Sequence, residues 1–198
     1  MQHIQHLEKD KRLRKILQTQ DQITLELKDK VYLRLCSSIM SQQLSTKVAK
    51  VIYGRFIDLF KGKEPSPKQI LAIPFETLRS IGLSFAKTNY IRNVCTFFIE
   101  NKVTDAKLSK LSNEEVIEVL TQIKGVGKWT VEMILMFTLG REDIFAVDDL
   151  GIQQAITKLY NLDALDKKKM KLDMVEISKK WSPYRTYACR YLWNWKDV

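Results

Sequence analysis

Apolar residues recur every three or four positions along most of this chain, with polar and charged residues between them. That spacing places apolar side chains on one face of an α-helix. The pattern predicts helices over these segments: about 6–19, 45–60, 84–101, 128–139, Asp149 to Tyr160, and Ser182-Pro183 to about Trp195. Alternation with a period of two residues is almost absent, so the sequence predicts an all-α fold. Ile144–Val147 is either a short strand or a buried loop entering a helix.

Local signals mark where some of these elements begin and end. Ser112 and Glu115 have the spacing of a capping box before an apolar helix. Pro74 can open a brief helix that Gly82 can close, and Lys61–Pro67 is expected to be a linker. A chain of 198 residues can form one domain or two small lobes that share a cleft.

A Gly-x-Gly turn, Gly125 to Gly127, joins two helical patterns. Glycines permit a tight turn with positive φ, and the N–H groups that open the following helix can bind a phosphate oxygen. Lys124 and Lys128 add positive charge beside the turn. An ordinary glycine C-cap between two helices is the alternative. The capped helix before the turn and the apolar helix after it favour a helix-hairpin-helix at about 113–139.

Two adjacent carboxylates, Asp148 and Asp149, precede the next helix. Asp149 stands at the N-cap position, so capping alone is the plain interpretation. A helix N-terminus also favours an ionised carboxylate, which can stabilise an oxocarbenium-like sugar and orient water. Glu132 and Asp143 are alternative carboxylates, which we interpret as solvated or structural.

Aromatic residues cluster near the C-terminal end of the chain. They are Trp181, Tyr184, Tyr187, Tyr191, Trp193 and Trp195. Most of them are expected to fill a helical core. We assign Trp193, together with Trp129 just after the hairpin, to a pocket in which a base removed from the DNA stack is held by stacking. A cationic alkylated purine would also gain cation–π attraction there.

The charge balance favours a polyanionic partner. The chain has 33 Lys and Arg residues against 23 Asp and Glu residues, a net charge of +10. Its three cysteines are far apart and odd in number, which gives no disulfide framework and no metal-ligand spacing. Reduced, buried thiols in a cytosol are the expected state. Neither a secretory signal nor a membrane-spanning apolar run is recognisable.

Several blocks of the chain resemble a known family. Residues 123–157 resemble the helix-hairpin-helix (HhH-GPD) DNA glycosylase superfamily, which has a Gly/Pro-rich hairpin loop and a later aspartate. Ser38–Lys47, Leu78–Ser84 and Trp181–Ala188 resemble blocks of its DNA-3-methyladenine glycosylase II-like branch. The blocks agree in order and extend over about 30–195. The resemblance implies one two-lobed, all-α domain over residues 1–198, with a central cleft.

The resemblance also implies roles for single residues. The family's catalytic aspartate is followed by two residues and then an apolar one, which Asp149–Ile152 matches. Asp149 is therefore the catalytic residue, with Asp148 in reserve. Gln43 matches the residue that fills the gap left by the flipped base.

In the hairpin, Gly125, Gly127 and nearby amides match the family's phosphate contacts. Bifunctional relatives carry a lyase lysine two residues after the second glycine, where this chain has Trp129. Lys128 lies one position away and is interpreted as a phosphate contact. The family hairpin can also hold a monovalent cation through backbone carbonyls.

The chain departs from the family pattern in places. Lys124 replaces the proline that is usual before the first glycine. Met133 and Gly151 stand where the bacterial alkyl-base enzyme has bulkier pocket residues, so the substrate range is open. The four-cysteine loop of the iron–sulfur relatives is absent, and no cofactor is expected.

The function implied by the resemblance is that of a monofunctional DNA glycosylase. It would flip an alkylated purine out of duplex DNA and hydrolyse the N-glycosidic bond. Alkylation at N3 or N7 makes the purine cationic, so the base leaves neutral and one carboxylate can suffice where other glycosidases use two.

The expected partner is double-stranded DNA that contains damaged bases, with no membrane. The protein is expected to be a cytoplasmic monomer, associated with the nucleoid if bacterial. A non-catalytic helix-hairpin-helix DNA-binding module is one alternative function. A glycosylase for another damaged base, oxidised or deaminated, is the other.

Overall fold

The computed structural model describes residues 2–28 and 30–196, and this part of the chain forms thirteen α-helices and no strand. The helices are α1 (Gln2–Leu7), α2 (Lys11–Leu17), α3 (Val31–Ser41), α4 (Thr46–Asp58), α5 (Pro67–Ala72), α6 (Phe75–Ser80), α7 (Phe85–Glu100), α8 (Asp105–Leu108), α9 (Asn113–Thr121), α10 (Lys128–Phe137), α11 (Leu150–Tyr160), α12 (Lys167–Lys179) and α13 (Arg185–Trp195). The all-α prediction is confirmed, and Ile144–Val147 is a loop.

The helices divide into two compact units. The middle unit is formed by residues 28–134, and the terminal unit by the segments up to Leu27 and from Leu135 onward. The assignment of residues 1–198 to a single domain with a central cleft stays a prediction.

In the middle unit, α7 is the helix on which α3, α5 and α6 pack. Its apolar face buries Ile91, Val94, Cys95 and Phe98 as the periodicity predicts. The same spacing places Phe85 on this face, but the residue is 64% exposed at the first turn of α7, where its ring meets that of Phe75.

Helix α4 follows its predicted bounds closely, since Ser45 caps its N-terminus by accepting a hydrogen bond from the N–H of Val48. Only part of its predicted apolar face is buried. Ile52 and Phe56 lie in the core, whereas Val48 and Val51 remain about half exposed. The periodicity identifies a face of the helix, but α3 covers only one side of it.

Two predicted segments differ from the structure for local reasons. The expected helix over about 6–19 is interrupted, because the side chain of Asp10 accepts hydrogen bonds from the N–H groups of Arg12 and Leu13 and starts a new helix. The expected linker Lys61–Pro67 is shorter, because Ser66 and Gln69 form a capping box and Pro67 opens α5.

In the terminal unit, α11 packs against α13, and α2 packs against both. Asp10, at the start of α2, links the end of α11 to the segment between α12 and α13, since its carboxylate accepts hydrogen bonds from the Tyr160 hydroxyl and from Trp181 Nε1 at 3.0 Å. It also pairs with Lys180 Nζ at 2.7 Å. Burial alone would raise the pKa of Asp10, but these hydrogen bonds outweigh it and lower the pKa to about 2.

The aromatic side chains of the terminal unit are mainly core residues, as the sequence predicts. Trp181 and Tyr191 are fully buried, and Tyr187 is 7% exposed. The three cysteines are buried, which confirms the expected burial of their side chains. Along residues 2–28 and 30–196, no helix has the length and apolar character needed to span a membrane.

Candidate active site

The hairpin lies between α9 and α10. The Val126 N–H donates to the carbonyl of Ile123 at 2.9 Å and closes the turn. Gly125 has φ of 102°, and a Cβ at this position would lie 2.2 Å from the ring of Tyr90. Only glycine fits there, because both the backbone conformation and the tyrosine ring exclude a side chain.

Gly127 serves the hairpin differently. Its φ is not among the positive values of the chain, and a Cβ would meet nothing within 4 Å. Its carbonyl accepts from the Val131 N–H at 3.2 Å, so it stands at the N-terminus of α10. The open backbone there has the form of a helix N-terminal anion site.

Charged groups surround this helix start. The Lys128 side chain is 57% exposed, and its Nζ lies 3.7 Å from a carboxylate oxygen of Glu132. The Glu132 side chain is only 4% exposed. The interpretation of Glu132 as solvated is therefore wrong, because the residue faces inward on α10, and the structural interpretation remains.

Gln43 lies in a tight turn between α3 and α4. The Leu44 N–H donates to the Ser41 carbonyl at 3.1 Å. Gln42 has φ −50° and ψ 132°, and Gln43 has φ 58°. These values resemble a type II turn, whose third residue takes positive φ and is usually glycine. A glutamine in this conformation costs on the order of 1 kcal/mol.

A pocket of about 310 Å³ opens beside this turn. It is lined by Ser38, Ser41, Gln42, Gln43 and Trp129. The Trp129 side chain is 41% exposed. The structure thus brings Gln43 and Trp129 to one cavity in the middle unit. An aromatic face beside hydroxyl and amide groups can stack a planar base and form hydrogen bonds to its edge.

Asp149 caps α11. Its Oδ1 accepts a hydrogen bond from the Ile152 N–H at 2.9 Å and another from Trp193 Nε1 at 2.7 Å. The residue is half-buried. The capping interpretation is therefore confirmed, and the carboxylate is also oriented by an indole from α13. Two donors and the helix N-terminus stabilise negative charge at this oxygen.

Gly151 provides the room for Trp193. A Cβ at position 151 would lie 3.1 Å from Trp193 Cδ1, 3.1 Å from Lys196 Cε and 3.2 Å from Asp149 Oδ1. The space that a bulkier residue would take is thus occupied by the indole, which also packs 5.6 Å from the Phe137 ring. Met133, the remaining predicted pocket residue, is half-buried on α10.

The other carboxylates of this region have different partners. Asp148 is exposed, and its Oδ1 lies 2.6 Å from Lys171 Nζ. Asp143 accepts hydrogen bonds from Arg185 Nε at 2.6 Å and from Ser182 Oγ at 2.8 Å. Burial opposes ionisation of Asp143, but these partners outweigh it and lower its pKa. Asp143 is structural, since it fixes the loop that leads into Asp149.

The predicted site residues therefore form two groups. Gln43 and Trp129 line one pocket in the middle unit, and Asp149 and Trp193 share a hydrogen bond in the terminal unit. That both groups face one cleft stays a prediction. Among the described residues, no cluster of His, Cys, Asp or Glu could hold a metal ion. The monovalent cation at the hairpin carbonyls also stays a prediction.

Some residues that shape the site carry no recognisable sequence signal. Tyr90 dictates the glycine at 125, and Asn93 Nδ2 donates to the carbonyl of Lys124 at 3.2 Å. Lys87 Nζ donates hydrogen bonds to two backbone carbonyls at the C-terminal end of α3. All three lie on α7, more than 30 residues from the loops they contact, and only the fold brings them there.

Comparison with known proteins agrees with this geometry. A family described as "HhH-GPD superfamily base excision DNA repair protein" matches residues 36–180. The chain is 38% identical to DNA-3-methyladenine glycosylase 1 of Schizosaccharomyces pombe over 169 residues, which cover 84% of this chain and 73% of that protein. It is 32% identical to the putative DNA-3-methyladenine glycosylase YfjP of Bacillus subtilis, covering 83% of this chain and 58% of that protein.

The same likeness extends to three dimensions. The Schizosaccharomyces pombe 3-methyladenine DNA glycosylase Mag1, solved in complex with abasic DNA, superposes with a TM-score of 0.86 at 33% identity. The match covers 100% of this chain and 98% of that one.

Proposed function

Because this chain belongs to the HhH-GPD superfamily of base excision DNA repair proteins, we propose that it is a DNA glycosylase that excises alkylated purines of the 3-methyladenine type from duplex DNA. Its relatives named DNA-3-methyladenine glycosylase support this substrate class. The DNA complex of the similar Mag1 structure supports double-stranded DNA as the partner.

The observation that carries the proposal is the environment of Asp149. Its Oδ1 is held by the Ile152 N–H and by Trp193 Nε1, at the N-terminus of α11. A carboxylate fixed in this way can stabilise the cation that develops on the deoxyribose as the base departs. A residue that served only as a helix cap would not need the indole hydrogen bond.

The chemistry requires little else from the protein. An alkylated purine carries positive charge and leaves as a neutral base, so no general acid is needed at the leaving group. Water then adds to the sugar carbon, and its proton is lost to solvent or to Asp149. One positioned carboxylate is therefore enough, in contrast to the two used by most glycosidases.

The middle unit supplies DNA binding in this proposal. The backbone of Gly125 and Gly127, with Lys128, would contact phosphate oxygens without reading sequence. Gln43 would fill the gap left by the extruded base. Trp129, Met133 and Trp193 would line the pocket that receives it.

The products would be a free base and an abasic site in an intact strand. A lyase step needs an amine that attacks the sugar, and position 129 carries a tryptophan instead. The protein would act as a monomer in the cytoplasm, on the nucleoid in a bacterium.

The test is direct identification of what the protein releases. Duplex DNA methylated with dimethyl sulfate would be incubated with the protein, and the released bases identified by mass spectrometry. We expect 3-methyladenine and 7-methylguanine, with no strand cleavage and no adduct trapped by borohydride. Release of only oxidised or deaminated bases from matched substrates would reassign the substrate. Binding without release of any base would indicate a non-catalytic DNA-binding module.

A further inference from the structure

The turn that presents Gln43 is held by a lysine from another helix. Lys87 Nζ donates hydrogen bonds to the carbonyl of Met40 at 3.0 Å and to the carbonyl of Gln42 at 2.6 Å. Both carbonyls lie at the C-terminal end of α3, where unsatisfied backbone oxygens carry partial negative charge. The ammonium is partly buried there, and burial lowers the pKa of Lys87.

The second of these hydrogen bonds is made to the oxygen whose orientation distinguishes the two common types of turn. The Gln42 carbonyl belongs to the central peptide of the turn from Ser41 to Leu44. Type I and type II turns differ mainly in the orientation of this central peptide, which is rotated by about 180° between them. The orientation decides whether the third residue has negative or positive φ.

Gln43 has φ 58°, a conformation that glutamine does not favour by itself. Something in the surroundings must therefore hold the central peptide in the type II orientation. Lys87 does so, because its ammonium binds the Gln42 oxygen from outside the turn. The dependence of Gln43 on Lys87 is thus conformational, not a contact between their side chains.

We propose that Lys87 is a positioning residue for base extrusion: it fixes the central peptide of the Ser41–Leu44 turn and so keeps Gln43 aimed to fill the gap in the DNA stack. The inference rests on the proposed function of Gln43 as the gap-filling residue. Without the ammonium, the central peptide is free to rotate, and Gln43 relaxes to negative φ. The extruded state then loses the residue that fills its gap, while the Asp149 region is untouched.

The first experiment compares substrates that differ in how hard the base is to extrude. Lys87→Met keeps the unbranched stem and removes the donor. Single-turnover excision of 7-methylguanine paired with cytosine should fall about tenfold, the loss expected for one charge-assisted hydrogen bond. Excision of the same base opposite a stable abasic analogue should change less than about twofold, because an unpaired base is extruded at low cost and depends less on a residue that stabilises the extruded state.

Controls separate this effect from a loss of charge or of structure. Lys68→Met removes one charge from an exposed position on α5 and should leave both rates unchanged. Lys87→Arg keeps a donor and should restore most of the paired-substrate rate. Equal loss on both substrates, with a lowered melting temperature, would reduce Lys87 to a structural residue and overturn the proposal.

A double-mutant cycle tests whether Lys87 acts through Gln43. Gln43→Gly removes the filling side chain and accepts positive φ without strain. In this background Lys87→Met should have no further effect on the paired substrate. Additive losses in the double variant would contradict the proposed route.

A fluorescence measurement keeps the inference independent of excision. The fluorescence of 2-aminopurine, placed in a duplex opposite a mismatched base, increases when the 2-aminopurine leaves the stack. The wild type should increase the signal, and Lys87→Met should reduce the increase, while Lys68→Met should not. If the wild type releases no alkylated base, the proposed function fails, but the fluorescence still tests the role of Lys87 in base extrusion. An increase in Lys87→Met equal to that of the wild type would contradict this role.

Discussion

The two regions that carry the proposed site are built in different ways. In the middle unit, the Gln43 turn and the hairpin depend on backbone geometry: Gln43 has positive φ, and Gly125 is required by the Tyr90 ring. In the terminal unit, Asp149 depends on hydrogen bonds to its side chain, above all from Trp193. Substitutions that add atoms should therefore impair the proposed DNA-binding region most. Substitutions that remove hydrogen-bond donors should impair the proposed catalytic region most.

The largest stability effect should come from an added atom in the hairpin. Gly125→Ala places a Cβ 2.2 Å from the Tyr90 ring, at a φ of 102° that alanine avoids. We expect a loss of about 2–4 kcal/mol in the free energy of unfolding, measured by chemical denaturation.

Gly127→Ala is the matched control, because a Cβ there meets nothing. Its stability should stay within about 0.5 kcal/mol of the wild type. Binding to all duplexes should weaken, however, since the new methyl group stands where a phosphate would approach. Equal stability losses in the two variants would contradict the difference we assign to the two glycines.

In the terminal unit the sharpest test removes one donor. Trp193→Phe keeps an aromatic ring beside Asp149 but loses the Nε1–H···Oδ1 hydrogen bond of 2.7 Å. Single-turnover excision should fall about ten- to a hundredfold, the range for a hydrogen bond to a charged group. Affinity for an abasic duplex should change little.

Trp195→Phe is the control on the same helix, since its indole contacts Lys158 Nζ at 4.7 Å instead of Asp149. It should excise bases at close to the wild-type rate. If Trp193→Phe is as active as Trp195→Phe, orientation of Asp149 by Trp193 is not needed for catalysis.

The pH dependence of stability should distinguish the region held by side-chain hydrogen bonds from the region held by backbone geometry. The pKa of Asp10 is lowered from 3.8 to about 2 in the folded protein. A depressed carboxyl pKa adds stability above the unfolded value, and this stability is lost as the pH falls through the folded value. The contribution is about 2 kcal/mol at neutral pH. Asp10→Asn should remove it, so that the two stability curves converge between about pH 4 and pH 2 in thermal melts.

The loss caused by Gly125→Ala should instead remain constant over this pH range, since no titrating group takes part. A gap between wild type and Asp10→Asn that persists at pH 2 would show that the carboxylate is not what stabilises the terminal unit.

The smallest expected effect concerns charge at the hairpin. If Lys128 neutralises one phosphate, Lys128→Ala should reduce the magnitude of the slope of log K against log salt by about 0.9, equally for damaged and undamaged duplexes. Lys68→Ala, on the exposed face of α5, should leave the slope unchanged. An unchanged slope in both variants would place the phosphate contacts elsewhere.

The same contrast explains what could be predicted from the sequence. The N-cap position of Asp149 can be predicted because capping is a local signal, in which the carboxylate and the amide it accepts from are three residues apart. The role of Lys87 could not be predicted, because the carbonyl it binds lies 45 residues away and only the packing of α3 on α7 brings them together. Periodicity likewise located α4 but not the exposure of Val48, which depends on what covers the helix.

The burial of charged side chains also cannot be predicted from the sequence. Glu132 occupies an inward position on α10 that a helical pattern would give to an apolar residue, so its charge alone does not distinguish a solvated side chain from a structural one. The periodicity likewise predicts no helix boundary at Asp10, because it continues on both sides of this cap. For Asp10 a tertiary partner, Lys180, compensates the burial, whereas the ion pair of Glu132 with Lys128 is local, between residues four apart on α10.

The central claim is that Asp149 is the catalytic carboxylate, and one variant tests it most directly. Asp149→Asn keeps the size and an oxygen that can still accept from the Ile152 N–H, but it removes the charge. Single-turnover excision of 3-methyladenine should fall by at least about 10²-fold, with melting temperature and binding to abasic DNA nearly unchanged. Asp148→Asn, which loses only the exposed ion pair with Lys171, should stay within a fewfold of the wild type. Wild-type excision by Asp149→Asn would contradict the account and leave Asp149 as a helix cap.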